Sequence, residues 1–205
     1  MALVRCIPGG SIAAIRMKSE REKMLAGELY DPLDAELAEG HQRAREICRE
    51  LNASKPGDTD GRMRLITALL GTMTDAWIEP PFYCDYGRNI TLGRKVFFNF
   101  NCVVLDVMPV RIGNNTLFGP AVQIYTAMYP TDADERRRGL EFAKPVTIGN
   151  DVWVGGAVVI CPGVTIGDRA VIGAGSVVTR DVPAESFSAG NPCRVIRTIE
   201  RGVGS

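Results

Sequence analysis

A six-residue repeat constrains this chain more than any other feature of its sequence. From Ile148 onward the chain reads IGNDVW, VGGAVV, ICPGVT, IGDRAV, IGAGSV and VTRDVP, which are six hexads without an insertion. The first position is always Ile or Val, and the fifth is Val, Ala or Ser. Upstream the same register recurs as LGRKVF and FNFNCV and, after a slip of two residues, as IGNNTL, FGPAVQ and IYTAMY.

A period of six fits neither an α-helix nor one long alternating strand. It fits a solenoid in which each hexad forms one short strand and one corner, with the first residue in the core and the small fifth residue beside the turn. Gly-Asn and Gly-Asp pairs at 113–114, 149–150 and 167–168 are expected to supply the permissive backbone of the corners. Three hexads complete one triangular coil, so the sequence predicts a parallel β-helix.

The chain divides into regions of different periodicity. We expect residues 1–16 to be an extension that precedes the fold, because Met17 opens a more natural start. Residues 17–76 carry apolar residues at three-to-four spacing among charges, which predicts short amphipathic helices with a break near 53–61. Residues 77–200 are predicted to form the β-helix, from which residues 126–145 extrude as a loop.

Composition excludes several classes of protein. With 24 basic and 24 acidic residues the formal charge is zero, which argues against a nucleic-acid or anionic-membrane partner. No run approaches the roughly 18 apolar residues of a membrane span. The six cysteines form no CxxC pair and are expected to be free thiols in a reducing cytoplasm.

Several segments resemble one enzyme family. The segments EKMLAGELYDP, EPPFYCDYGRNITLG, NFNCVVLDV, AKPVTIGNDVWVGG, PGVTIG and GNPCRVIR, spread over residues 18–200, are similar to the maltose and galactoside O-acetyltransferases of the hexapeptide-repeat acyltransferases. The resemblance implies a left-handed β-helix, against the usual crossover preference, and a homotrimer with sites between subunits. It also implies metal-free acetyl transfer from acetyl-CoA to a hydroxyl of a sugar or related small acceptor.

The chain departs from that family where the chemistry is expected. The family segment IYTATHP contains the histidine that serves as general base, but this chain reads IYTAMYP, which puts Tyr129 at the histidine and Met128 at the preceding threonine. A phenol has a pKa of about 10 and an imidazole about 6.5, and a general base contributes about 10²–10⁴ in rate. We therefore expect a weak enzyme unless the phenol pKa is lowered or another group substitutes.

The resemblance also assigns the remaining site residues. Asn99 is expected to position the acceptor and the developing oxyanion. The expected acceptor-side residues are Asp31, Asp106, His41, Met128 and Glu141. The expected coenzyme-side residues are Trp153, Gly156, Ala174, Thr179, Arg180, Arg194 and Arg197. A guanidinium suits phosphate, whereas Gly156 and Ala174 are also explained by the need of a hexad for small residues.

Other interpretations stay open at this point. His41, the single histidine, stands where the family has an arginine, and helical spacing alone makes it a polar residue on the solvent side of a helix. The acceptor could be an amine, which arrives partly deprotonated and needs less help, or the chain could be a CoA-binding or structural trimer without catalysis. One histidine excludes a γ-type carbonic anhydrase, which shares the fold and requires three zinc-binding histidines.

Overall fold

A computed structural model of the protein describes residues 16–200, so the predicted extension lies outside the described residues apart from Arg16. Three helices come first: α1 Glu20–Leu25, α2 Ala35–Asn52 and α3 Thr59–Leu70. Each begins after a side chain that accepts a hydrogen bond from a free backbone amide, and these capping residues are Ser19, Asp34 and Asp58. Within the described residues, no helix is long and apolar enough to cross a membrane.

Eighteen short strands and one further helix follow. The strands before the extruded segment are β1 Trp77–Ile78, β2 Phe82–Cys84, β3 Ile90–Leu92, β4 Phe97–Phe98, β5 Cys102–Leu105, β6 Val110–Ile112, β7 Leu117–Phe118 and β8 Gln123–Tyr125. The extruded segment contains β9 Ala127–Met128, α4 Ala133–Arg136 and β10 Phe142–Ala143. The last strands are β11 Val146–Ile148, β12 Trp153–Val154, β13 Val159–Ile160, β14 Thr165–Ile166, β15 Val171–Ile172, β16 Val177–Val178, β17 Ser186–Ala189 and β18 Arg194–Thr198.

The strands form the three faces of a triangular coil. The first sheet has the order β1-β4-β7-β12-β15-β17-β18, the second β16-β13-β8-β5-β2 and the third β14-β11-β6-β3. Neighbouring strands are parallel, except that β18 returns antiparallel to β17. Ile148 pairs with Ile166, eighteen residues on, which confirms that three hexads make one coil.

The hexad positions have the predicted burial. All first-position residues from Ile148 to Val178 are at most 2% exposed, and all fifth-position residues from Val152 to Val182 are at most 5% exposed. Apart from the buried polar residue Ser176, both sets belong to one continuous apolar core. Cys48, Cys84, Cys102, Cys161 and Cys193 carry free thiols, as predicted, and Cys6 lies outside the described residues.

The prediction that the corner glycines supply the permissive backbone of the corners is wrong. The left-handed backbone falls on the fourth hexad position, where Asn115 has a φ of 54° and Asp151 a φ of 55°. The glycine at the second position is needed for close approach between coils. A Cβ on Gly113 would lie 2.6 Å from the carbonyl carbon of Gly149, too close for any other residue.

The slip in the repeat is a two-residue insertion in each early coil. Cys84 pairs with Val104, and Leu92 pairs with Ile112, so these coils span twenty residues. The extra residues widen one corner of the coil, at 85–89 and again at 106–109. At the same corner, after β8, the extruded segment leaves the coil as the antiparallel pair β9–β10.

Candidate active site

A cluster of ionisable side chains forms where the extruded segment meets the start of the helical region. Met128 is paired with Phe142 in the β9–β10 hairpin, which makes Tyr129 and Glu141 the next opposed positions. The backbone of Glu141 exchanges two hydrogen bonds with Tyr30, at 3.0 and 3.1 Å. The Tyr30 hydroxyl also donates to Glu141 Oε2 at 2.8 Å, so Glu141 is fixed between the loop and the helical region.

Tyr129 is the half-exposed member of this cluster, with 56% of the residue accessible. A hydrogen bond with the Glu141 carboxylate and, second, burial raise the pKa of its phenol. A neighbouring carboxylate stabilises the protonated phenol and disfavours the phenolate. The direction of this shift argues against a Tyr129 phenol that is activated by a lowered pKa.

His41 does not lie on the solvent side of its helix, so that interpretation is wrong. Its ring centroid is 4.3 Å from that of Tyr86, and its Nε2 atom is buried without a hydrogen-bond partner among the described residues. Burial lowers the pKa of His41, with a further contribution from Arg45, while Glu141 opposes both. The reason for the inward orientation is that α2 packs against the widened corner of the coil, close to β2.

Sequence reasoning missed Asp85 and Tyr30. Asp85 follows β2 at the widened corner, where burial and then the charge of Glu141 raise its pKa to about 6, against an opposing effect of Arg45. Tyr30 is only 1% exposed and anchors Glu141. Asp85 follows directly after Cys84, which the twenty-residue register pairs with Val104, so its place at the widened corner could have been found from the repeat. Nothing local marks Tyr30.

Asp106 is not exposed to an acceptor, which corrects the role expected from the resemblance. It is completely buried, and its carboxylate accepts hydrogen bonds from the backbone amides of Asp85, Tyr86 and Asn89 at 3.1, 2.9 and 3.2 Å. Burial raises its pKa to about 7, and the amide donors oppose that shift. We therefore infer that Asp106 shapes the corner that carries Asp85 and does not itself touch a substrate.

The other expected acceptor-side residues occupy different places. Asp31 is exposed directly after Tyr30, and its Oδ1 accepts from the Leu33 amide at 2.9 Å. Asn99 follows β4 at the corner between the first and second sheets, whereas Tyr129 lies beyond β8 at the corner between the second and third. One chain alone therefore does not bring Asn99 and Tyr129 to the same corner.

An apolar groove of about 340 Å³ runs along the outside of the first sheet. Trp153, Gly156 and Ala174 line it together with Phe187, and Trp153 is 57% exposed. A Cβ on Gly156 would lie 3.2 Å from the Pro120 carbonyl oxygen, so the absence of a side chain keeps the groove open.

The basic residues divide between two faces. Arg197 lies at the end of the groove, with its guanidinium 5.6 Å from the Phe187 ring centroid, and Arg194 is exposed on the same strand, β18. Thr179 and Arg180 are exposed after β16, in the second sheet. The structure thus brings Trp153, Gly156, Ala174 and Arg197 together and leaves Thr179 and Arg180 on another face of the chain.

Family comparison agrees with the architecture. Residues 23–74 match the maltose acetyltransferase hexapeptide capping motif, and residues 145–180 match the six repeats of the bacterial transferase hexapeptide. A helical cap and a repeat-built coil with an apolar outer groove define a hexapeptide-repeat acyltransferase.

Comparison with individual proteins identifies a narrower family within this class. The galactoside O-acetyltransferase of Escherichia coli is 44% identical over 179 residues, covering 87% of this chain and 88% of that protein. The maltose O-acetyltransferase of Clostridium difficile 630 superposes with a TM-score of 0.88 at 43% identity, over 90% of this chain and 99% of that one. A galactoside acetyltransferase in complex with coenzyme A gives a TM-score of 0.86 at 42% identity, over 90% and 92%.

The chain belongs to the maltose and galactoside O-acetyltransferase family, and the coil is the left-handed hexapeptide β-helix of that family. By homology it is a CoA-dependent O-acetyltransferase. Between residues 16 and 200, no group of three or more His, Cys, Asp or Glu side chains is placed to hold a metal ion.

Proposed function

We propose that the protein transfers the acetyl group of acetyl-CoA to a hydroxyl of a sugar, at a site where Tyr129 takes the place of the family histidine. The observation that carries this proposal is the open apolar groove at Trp153, because it occurs in a chain similar to an acetyltransferase solved with coenzyme A. We assign the acceptor to the cluster of carboxylates and aromatic rings around Glu141.

The groove suits the pantetheine arm of the coenzyme. The arm is long, thin and largely apolar, and the exposed Trp153 ring with the bare backbone at Gly156 offers a flat channel for it. We assign Arg194 and Arg197, both exposed on β18, to the coenzyme phosphates, because a guanidinium makes bidentate contacts with phosphate. Thr179 and Arg180, which follow β16 in the second sheet, are proposed to serve the coenzyme in the first-sheet groove of a neighbouring copy.

The side chains around Glu141 suit a sugar acceptor. Asp31 and Glu141 present carboxylate oxygens that accept hydrogen bonds from neighbouring hydroxyls, and Met128 lies on the strand that carries Tyr129. Asp85 adds a third carboxylate at the widened corner. The ring of Tyr86, tilted by 43° against the His41 ring, is the apolar neighbour of these carboxylates.

A homotrimer completes the site in this proposal. The outward residues of the first sheet form an apolar ladder that includes Phe97, Leu117 and Trp153 in direct register. The outward residues of the third sheet are polar, as at Arg111 and Thr147. A second copy packed on the apolar ladder would bring Asn99 of one chain towards Tyr129 of another, in a cyclic trimer of about three times the chain mass of 22.3 kDa.

Acetyl-CoA turnover with an acceptor panel tests the proposal. The panel contains maltose, a β-galactoside, glucosamine and buffer alone, with thiol release and product mass measured together. We expect acetylation of a sugar hydroxyl above the rate of hydrolysis. Acetylation confined to the amine would favour the amine-acceptor alternative, and no turnover with any acceptor would contradict the proposed function. A monomer by light scattering at micromolar concentration would contradict the shared site.

A further inference from the structure

We propose that Tyr129 and Glu141 act together as a proton relay that replaces the missing histidine, with the Glu141 carboxylate as the final proton acceptor. This inference rests on the proposed function and deepens it, because it assigns the group that removes the proton from the acceptor. It concerns two residues from the opposed strands of the extruded hairpin.

The position of Glu141 is determined from two sides. Its backbone is held in a two-bond bridge with Tyr30, and its carboxylate receives the Tyr30 hydroxyl at 2.8 Å. Tyr129 is opposite Glu141 in the continued register of β9 and β10, and the Glu141 carboxylate is close enough to raise the pKa of the Tyr129 phenol. A carboxylate that is fixed by one phenol and contacts a second is pre-organised to receive a proton through the second.

Tyr129 provides the accessible end of the relay. Glu141 is half-buried, whereas Tyr129 is 56% exposed and follows directly after the strand that leads out of the coil. In the family that the chain resembles, the same position holds the histidine that serves as general base. The phenol is therefore placed to receive the proton of an acceptor while its own proton moves to the carboxylate behind it.

The charged groups around Glu141 favour it over its neighbours. Facing it are Tyr30 from the start of the helical region, His41 from α2, and Asp85 and Tyr86 from the widened corner. His41 is unsuited to remove a proton from the acceptor directly, because its Nε2 atom is buried. The other carboxylate, Asp85, has a raised pKa because of burial and, second, because of the charge of Glu141.

The proposed step balances in atoms and electrons. The acceptor hydroxyl oxygen forms a bond to the acetyl carbon as its proton passes to the Tyr129 oxygen, and the phenolic proton of Tyr129 passes to Glu141. The bond between the acetyl carbon and the coenzyme sulfur breaks, and the sulfur leaves with the electron pair. The proton then returns from Glu141 through Tyr129 to that sulfur, which restores both side chains and releases the thiol.

Matched variants test the relay. Glu141→Gln keeps the size of the side chain and removes the proton acceptor, and we expect kcat to fall about 50-fold or more while KM for acetyl-CoA changes less than twofold. Tyr129→Phe is expected to lose a similar factor, and the double variant no more than either alone. Glu135→Gln, an exposed acidic residue of the same extruded segment, is the control and should retain the wild-type rate.

Solvent isotope measurements distinguish a relay from a structural role. If two protons move together, wild-type kcat should depend on the deuterium fraction of the solvent along a curve, and Glu141→Asp should keep that curve at a reduced rate. A straight line, or a Tyr129→Phe variant at the wild-type rate, would overturn the relay. A Glu141→Gln variant at the wild-type rate would overturn it while leaving the proposed function intact, whereas a wild-type protein without transfer would overturn both.

Discussion

The widened corner of the coil depends on one buried carboxylate, and its removal gives a prediction that can be worked out from the structure. Asp106→Ala would leave the backbone amides of Asp85, Tyr86 and Asn89 without their acceptor. Asp106 is completely buried, so water does not replace the lost oxygen atoms without rearrangement of the corner. The change therefore removes three hydrogen bonds and leaves a small cavity.

The magnitude follows from these three bonds. A buried polar group left unpaired costs about 1–3 kcal/mol, and neighbouring losses are not additive because one local shift can expose several groups. We expect the free energy of unfolding to fall by about 3–6 kcal/mol for Asp106→Ala. Asp106→Asn keeps one acceptor oxygen and puts an NH₂ group against the remaining amide, so its loss should be about half as large.

Urea unfolding followed by circular dichroism measures these losses. Asp168→Ala is the matched control. The Oδ1 atom of Asp168 also accepts a hydrogen bond from a backbone amide of a neighbouring coil, that of Asn150 at 2.7 Å, but Asp168 is exposed to solvent. Its loss should be about 1 kcal/mol or less. If Asp106→Ala lost no more than Asp168→Ala, the carboxylate would not hold the corner, and the assignment of Asp106 as a positioning residue would be wrong.

Three further predictions concern the proposed site. Trp153→Ala should weaken CoA binding about 10–30-fold by calorimetry, since covering roughly 70 Å² of its exposed ring contributes about 1.8 kcal/mol. Met73→Ala, which changes another exposed apolar residue outside the groove, should leave the affinity unchanged. An unchanged affinity in Trp153→Ala would show that the coenzyme does not bind in this groove. Tyr129→His should raise kcat about tenfold or more at pH 8 with little change in KM for acetyl-CoA, and a lower rate would show that Tyr129 is better matched to this site than an imidazole. Because the pKa of Asp85 is raised in the folded state, ionisation of its carboxyl group lowers the free energy of unfolding. This loss of stability is absent below about pH 4 and grows as the pH rises to about 6. Asp85→Asn should therefore melt several degrees above the wild type at pH 8 and level with it at pH 4, and equal melting temperatures at both pH values would contradict the shift.

The coil could be predicted because its cause is local and repeated. Each hexad must bury its first and fifth residues, so Ile148 and its successors reveal the period, and the eighteen-residue pairing follows from three hexads in each coil. The role of Gly113 was mistaken because its neighbour, Gly149, belongs to another coil and is thirty-six residues away. A pattern within one hexad does not show which backbone lies above it.

The site was less predictable because its contacts join distant segments. Tyr30 and Glu141 are 111 residues apart, and neither carries a signal that it will meet the other. The helical spacing of α2 identified its apolar stripe, but His41 lies at the edge of that stripe, where the widened corner decides which side is covered. Tyr129, by contrast, was assigned to the site from the resemblance alone, because the difference is confined to two letters of a recognisable segment.

Mass analysis of the product tests the central claim most directly. The wild-type chain, with Tyr129 in place, is incubated with carbon-13-labelled acetyl-CoA and a sugar, and the sugar is analysed for the labelled group. We expect a singly acetylated sugar with the acetyl group on a hydroxyl oxygen, formed faster than labelled acetate appears in the absence of sugar. Labelled acetate alone, with no acetylated sugar from any member of the panel, would contradict it.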